Sequence, residues 1–162
     1  MDVVIFIGSE SDHEVVKDAL QILEGFGVSH RLEVTSAHRS PERTSALIAD
    51  SEKKGAKVFI AVAGKAAHLA GFVAGKTSAP VIGVPVESAG LGGLDALLST
   101  VQMPKGVPVA TMGLGKAGAS NAAILAVQIL SLGNSRLKKK LEEHKKTMAA
   151  QVESASRKIK NP

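Results

Sequence analysis

Cysteine, tryptophan and tyrosine are absent from this 162-residue chain, and phenylalanine occurs only four times. Without cysteine there is no disulfide framework, no thiol nucleophile and no cysteine-based metal site. With so few aromatic rings, a platform for stacking nucleic-acid bases is poorly supplied. No uninterrupted apolar stretch is long enough to span a bilayer, and no basic region or cleavage signature precedes the first strand-like run. A cytoplasmic protein without membrane segments is expected. Charge of one sign is lacking too, except at one end. The formal net charge is +5, but from Asn134 onward nine Lys/Arg face three Asp/Glu, leaving eleven basic and twelve acidic residues in the body. Basicity belongs to the tail, so nucleic-acid binding is not expected.

What is present is globular. Hydrophobic residues make up 44% and charged ones 22%, in a chain long enough for one domain with a substantial core. Five β-rich runs, Val3–Ile7, His30–Val34, Val58–Val62, Val81–Val86 and Val107–Thr111, alternate with helical spacing such as Val15, Val16, Ala19, Leu20 and Leu23. Nearly all-apolar strands belong in a parallel sheet buried on both faces. The expected fold is therefore α/β, a doubly wound three-layer sandwich of flavodoxin-like type over residues 1–132. Asn121–Leu132 reads as the last helix of that domain. Residues 133–162 form a basic C-terminal helix whose thin stripe of Leu137, Leu141, Met148, Val152, Ala155 and Ile159 fits a neighbouring subunit better than a core. Packing on its own domain is the competing expectation.

Ligands of doubly wound sheets sit beyond the carboxyl ends of the strands. With strand order 2-1-3-4-5, three loops lie side by side: "GSESD" (Gly8 to Asp12), "TSAHR" (Thr35 to Arg39) and "AGKAAHLAG" (Ala63 to Gly71). The first offers a glycine for close backbone approach, hydroxyls on Ser9 and Ser11, and Asp12 at a helix start, suited either to an N-cap or to a ribose diol. The second, taken alone, is a polar turn; beside the first, Ser36 and Arg39 suit an anion, and His38 suits proton transfer. No G-x-G-x-x-G follows the first strand, and "GLGKAGAS" fails as a P-loop because Ala117 follows Lys116. No G-x-S-x-G elbow and no zinc-type histidine spacing occurs. His13, His30 and His144 read as helix-start, strand-edge and tail residues, whereas His38 and His68 both follow strands. Proton transfer on a phosphorylated small molecule fits that inventory.

In order along the chain, "GSESD", "SAHRSPE", "AGKAAHLAG", "PVIGVPV" and "GLDALLSTVQMPKGVPVATMGLGKAGASNAAILAVQIL" resemble the N5-carboxyaminoimidazole ribonucleotide mutases of purine biosynthesis, a branch of the aminoimidazole ribonucleotide carboxylase family. The resemblance implies a homo-octamer with no metal or organic cofactor, acting on a ribonucleotide whose carboxyl moves from nitrogen to ring carbon through released and recaptured CO2. Carried onto this chain, Ser9, Ser36 and Arg39 hold the phosphate with Ser11 nearby, and Asp12 takes the ribose hydroxyls. His38 shuttles the proton, and Gly64, Ala66, His68 and Leu69 wall the pocket around the carboxylate. The chain departs from the mutase pattern where Lys65 replaces the second glycine and Ala70 a proline, and His13 stands where an apolar residue is common. A basic residue at position 65 and a run like Gly71-Phe72-Val73 belong to the animal-type branch, which carboxylates aminoimidazole ribonucleotide directly with CO2. Lys65 is an exposed amine, either inert or suited to attract bicarbonate or CO2. Direct carboxylation is the alternative, followed by a nucleotide-binding module without turnover.

Overall fold

The computed structural model describes residues 1–88 and 90–160. Five parallel strands, β1 (Val3–Ile7), β2 (His30–Val34), β3 (Val58–Gly64), β4 (Val81–Val86) and β5 (Ala110–Thr111), form one sheet, in the order β2-β1-β3-β4-β5. They alternate with α1 (His13–Phe26), α2 (Pro41–Lys53), α3 (Leu69–Ala74), α4 (Leu94–Val101) and α5 (Gly115–Ser131), and α6 (Ser135–Lys160) follows. This is the expected flavodoxin-like sandwich. β1 and β4 are buried along their whole length, because helices cover both faces of the sheet. On one face Val3, Ile5, Ile7, Ile60 and Val84 meet α1 and α5. On the other, Val4, Phe6 and Phe59 meet α2 and α3, with the Phe6 and Phe59 rings stacked at 5.8 Å. Each fully buried aliphatic or aromatic side chain contributes about 1.5–3 kcal/mol relative to exposure.

Three boundaries differ from expectation. β5 is two residues long rather than five, pairing with β4 only at Ile82–Ala110 and Gly83–Thr111; Pro108 has no N–H to extend the ladder. β3 runs two residues further, to Gly64, alongside Val86 of β4. α5 begins six residues before Asn121. Its first turns are rich in glycine, which disfavours helix by local propensity, yet Gly118 is buried with the Gly113 carbonyl pressed against it.

The tail divides its stripe. Asn134 caps α6 by accepting the Arg136 and Leu137 N–H groups on Oδ1. Leu137 and Leu141 are buried in the domain's own core, and the Lys140 ammonium donates to the Gly25 and Phe26 carbonyls at the end of α1. His144 stands edge-on to the Phe26 ring. The first turns of α6 therefore complete the domain, contrary to a stripe too thin for core. Beyond them Met148, Val152 and Ile159 are exposed. Residues 161 and 162 of the expected tail segment lie outside the described residues.

At the β2 edge, Arg31 donates to Glu33 and to Asp50 of α2, and Arg43 of α2 donates to Glu33. The other edge is the two-residue β5.

Candidate active site

Parallel strands all end on one side, and there the loops after β1, β2 and β3 enclose a cavity of about 590 Å³. Ser9, Ser11, Asp12, Ser36, His38, Arg39, Gly64, Lys65, Ala66, His68 and Leu69 all line it. Every residue singled out from the sequence is brought together. Leu69 does so from a buried position at the start of α3.

The second loop is held by its own hydroxyls. The Ser36 carbonyl accepts from the Ser40 N–H, the Ser40 hydroxyl and the Thr44 hydroxyl, while Thr35 and Thr44 share a buried hydroxyl pair at 2.7 Å. Pro41 then opens α2 at a position where a missing N–H costs nothing. The result is a rigid turn presenting His38 and Arg39 outward. The Ser40 hydroxyl, at the helix start, is turned back onto Ser36 and makes no cap of α2.

The hydroxyls of the cavity are arranged as donors. Ser36 Oγ accepts the Arg39 N–H at 3.2 Å, and Ser9 Oγ accepts from Ser11 Oγ at 3.0 Å. Each of these two oxygens uses a lone pair inside the protein and keeps its hydrogen for a ligand. Arg39 Nη2 donates to the Gly8 carbonyl at 3.0 Å, which ties the first two loops together and leaves most of its fork open. That combination suits a phosphate.

Asp12 makes no side-chain cap of α1, so its N-cap reading does not hold. No cation pairs with it among the described residues. Burial raises its carboxyl above the ordinary value, with the Ser9 backbone and the Ser11 side chain acting the other way. A half-buried carboxylate with spare lone pairs accepts hydroxyl hydrogens readily.

His38 Nε2 lies 2.7 Å from His68 Nδ1, with the rings nearly perpendicular at 4.8 Å between centroids. One N–H and one lone pair make this bond, leaving His38 Nδ1 and His68 Nε2 for substrate or water. The third loop is tight. The Ala67 N–H closes on the Gly64 carbonyl at 3.1 Å, and Lys65 and Ala67 adopt φ of +57° and +40°. Left-handed backbone costs a residue with a Cβ about 1–2 kcal/mol. Gly64 itself has little room, since a Cβ there would lie 3.2 Å from the Val86 carbonyl.

A fourth loop, after β4, joins the three expected from the sequence. Val86, Glu87 and Ser88 line the same cavity, and Ser88 Oγ donates to Asp95 Oδ2 at 3.3 Å. The sequence carries a signal for it that the three-loop reading missed: β4 adjoins β3 in the expected order, so its carboxyl end opens on the same side.

The sequence matches the AIR carboxylase family over residues 2–151. It is 47% identical over 150 residues to the N5-carboxyaminoimidazole ribonucleotide mutase of Escherichia coli K12, covering 93% of this chain and 89% of that protein. It is 50% identical over 144 residues to the mutase of Pyrococcus abyssi, covering 89% and 82%. With the mutase of Methanocaldococcus jannaschii it shares 49% over 158 residues, covering 98% and 97%. The fold is similar to the crystal structure of Treponema denticola PurE, with a TM-score of 0.89, 28% identity and 98% of each chain covered. A substituted form of Treponema denticola PurE2 superposes with a TM-score of 0.90 at 27% identity, covering 99% of this chain and all of the other.

Proposed function

Because the chain belongs to the AIR carboxylase family, we propose that it interconverts N5-carboxyaminoimidazole ribonucleotide and 4-carboxy-5-aminoimidazole ribonucleotide in purine biosynthesis. The observation that carries this reading is the His38–His68 pair, set in one cavity with Arg39 and two serines whose hydrogens are free. Arg39, Ser9 and Ser36 hold the phosphate, with Ser11 orienting Ser9, and Asp12 accepts the ribose hydroxyls. Gly64, Ala66 and Leu69 shape the wall beside His68, where small residues let backbone approach the reacting carboxylate. No metal or organic cofactor takes part.

The proton account closes on one residue. His38 donates a proton to the nitrogen as the N–CO2 bond breaks, releasing neutral CO2. The ring carbon then attacks that CO2, and the same imidazole takes the hydrogen that the ring carbon loses. One proton leaves and one returns, so each turnover restores the catalyst without a co-reactant. Water must be kept out while CO2 is free. We place this chemistry in the cytoplasm and in a homo-octamer whose neighbours close the cavity. Supporting that assembly, Leu91, Leu94 and Leu98 around α4 and Met148, Val152 and Ile159 of α6 are large apolar side chains exposed on a single copy. No helix among the described residues is long and apolar enough to cross a membrane.

Two turnover assays test the reading. Purified protein supplied with N5-carboxyaminoimidazole ribonucleotide, without ATP or bicarbonate, is expected to give the ring-carboxylated product rapidly. Aminoimidazole ribonucleotide with physiological bicarbonate is expected to react far more slowly. The opposite pattern would establish direct carboxylation, and silence in both would leave a binding module.

Asp12→Asn gives a prediction with two signs. The raised carboxyl of Asp12 contributes stability that is full below the ordinary carboxylate value and lost as pH rises through its folded value. At neutral pH the ionised group is therefore a burden, reduced by its half exposure. The substitution is expected to raise Tm at pH 7 by about 1–2 °C, a gain that fades below about pH 4. Nucleotide affinity is expected to fall about tenfold, on the scale of one lost hydrogen bond to a charged acceptor. Calorimetry at both pH values checks the first, titration with product the second.

A further inference from the structure

Lys65 carries the next inference, which rests on the functional reading above. It follows β3 directly and takes a left-handed conformation that glycine would adopt without strain. Lys65 and Ala67 are the two non-glycine residues with positive φ among the described residues, and both lie in the same cavity-lining loop. The loop is well defined, closed by the Ala67 N–H on the Gly64 carbonyl. A lysine thus stands, with backbone strain, where glycine would fit without it.

Its ammonium is also uncommitted. Lys54 and Lys57 form ion pairs with Asp50 and Asp2, and Lys140 caps carbonyls of α1. Lys65 is exposed and makes no hydrogen bond or ion pair among the described residues, yet it lines the cavity. Two cationic residues on different loops therefore line the cavity. Arg39 is anchored to the loop after β1 through the Gly8 carbonyl. Lys65 stands after β3, three residues before His68 and so on the loop that carries half of the proton-transferring pair. The substrate bears two anionic groups separated by its ribose, a phosphate and a carboxylate. The carboxylate is the one that must lie beside the proton-transferring imidazoles.

We propose that Lys65 is the specificity-determining residue for the migrating carboxylate, holding it by charge both on nitrogen and on ring carbon, while Arg39 holds the phosphate. An ammonium that grips the carboxylate in both bound forms discriminates carboxylated from decarboxylated ribonucleotide. It also retains the carboxylated product against the competing pool of aminoimidazole ribonucleotide.

The test measures affinity by calorimetry for two ligands, 4-carboxy-5-aminoimidazole ribonucleotide and aminoimidazole ribonucleotide, on the unmodified protein and four variants. Lys65→Met is expected to weaken the carboxylated ligand about tenfold, the scale of one lost hydrogen bond to a charged group, and the decarboxylated ligand less than about twofold. Lys65→Arg keeps most of the preference, because it keeps the charge. Lys65→Gly loses the preference while its Tm rises, separating the charge from the backbone strain. Arg39→Met weakens both ligands alike. The preference of the unmodified protein also shrinks as ionic strength increases. If the unmodified protein turns over N5-carboxyaminoimidazole ribonucleotide but Lys65→Met leaves the affinity ratio unchanged, this assignment falls and the functional reading stands. If the unmodified protein shows neither turnover nor a preference, both fall.

Discussion

Asparagine in place of His38 is expected to lower kcat by a factor of about 10²–10⁴, the span associated with a positioned general acid–base group. The Kd for the ring-carboxylated product should change less than about threefold. Asparagine keeps a polar side chain in the loop but is too short to reach the position of His38 Nε2, which meets His68 at 2.7 Å. It cannot carry a proton through the reaction. The proposed phosphate holders Arg39, Ser9 and Ser36 are organised by contacts of their own, the Gly8 carbonyl, Ser11 Oγ and the Arg39 N–H, none of which involves the imidazole. Turnover and binding should therefore separate. A variant turning over within about tenfold of the unmodified protein would remove His38 from the chemistry.

Gly118→Ala is expected to cost about 3 kcal/mol, at the upper end of ordinary overpacking, and to lower Tm by about 6–12 °C in a chain of this size. A Cβ built on Gly118 would lie 1.7 Å from the Gly113 carbonyl oxygen and 2.6 Å from its carbon. These are backbone atoms, which cannot swing aside as a side chain can. Relief requires moving α5 away from the loop that leads into it, and α5 supplies Ala119, Ala122, Ala123, Ala126 and Val127 to the core. Gly25→Ala is the matching control. Gly25 lies inside α1, and a methyl group added there would meet nothing within 4 Å, so alanine should be neutral or slightly stabilising. Thermal melts of the two proteins decide the matter, and a loss below about 2 °C for Gly118→Ala would sink the packing argument.

The strands were readable because their physics is one-dimensional. A strand buried on both faces needs apolar residues throughout, and Val3–Ile7 and Val81–Val86 have them. The cavity residues were readable for a related reason, since a parallel sheet puts all its carboxyl ends on one side. Gly118 shows the opposite case. Its helix starts in a glycine-rich segment whose conformation is set by the Gly113 carbonyl five residues earlier, a contact that local propensity does not contain. The tail is a second such case. Leu137 with Leu141 and Met148 with Val152 have the same spacing on one helix, yet the first pair is buried and the second exposed. The difference comes from how far the domain extends beneath α6, whose first turns dock on α5 and the end of α1, not from the pattern. The His38–His68 contact joins loops thirty positions apart, so the sequence placed both rings after strands but held no distance between them.

The two edges of the sheet have a consequence for how this chain behaves in a crowded solution. An open strand edge is a template on which another chain can add a strand. Here one edge is a strand of two residues, too short to offer a run of unpaired backbone groups. The other carries Arg31 and Glu33, each pinned by charges from α2, and an incoming strand would have to disturb that ionic fringe. Growth by strand addition is discouraged at both ends.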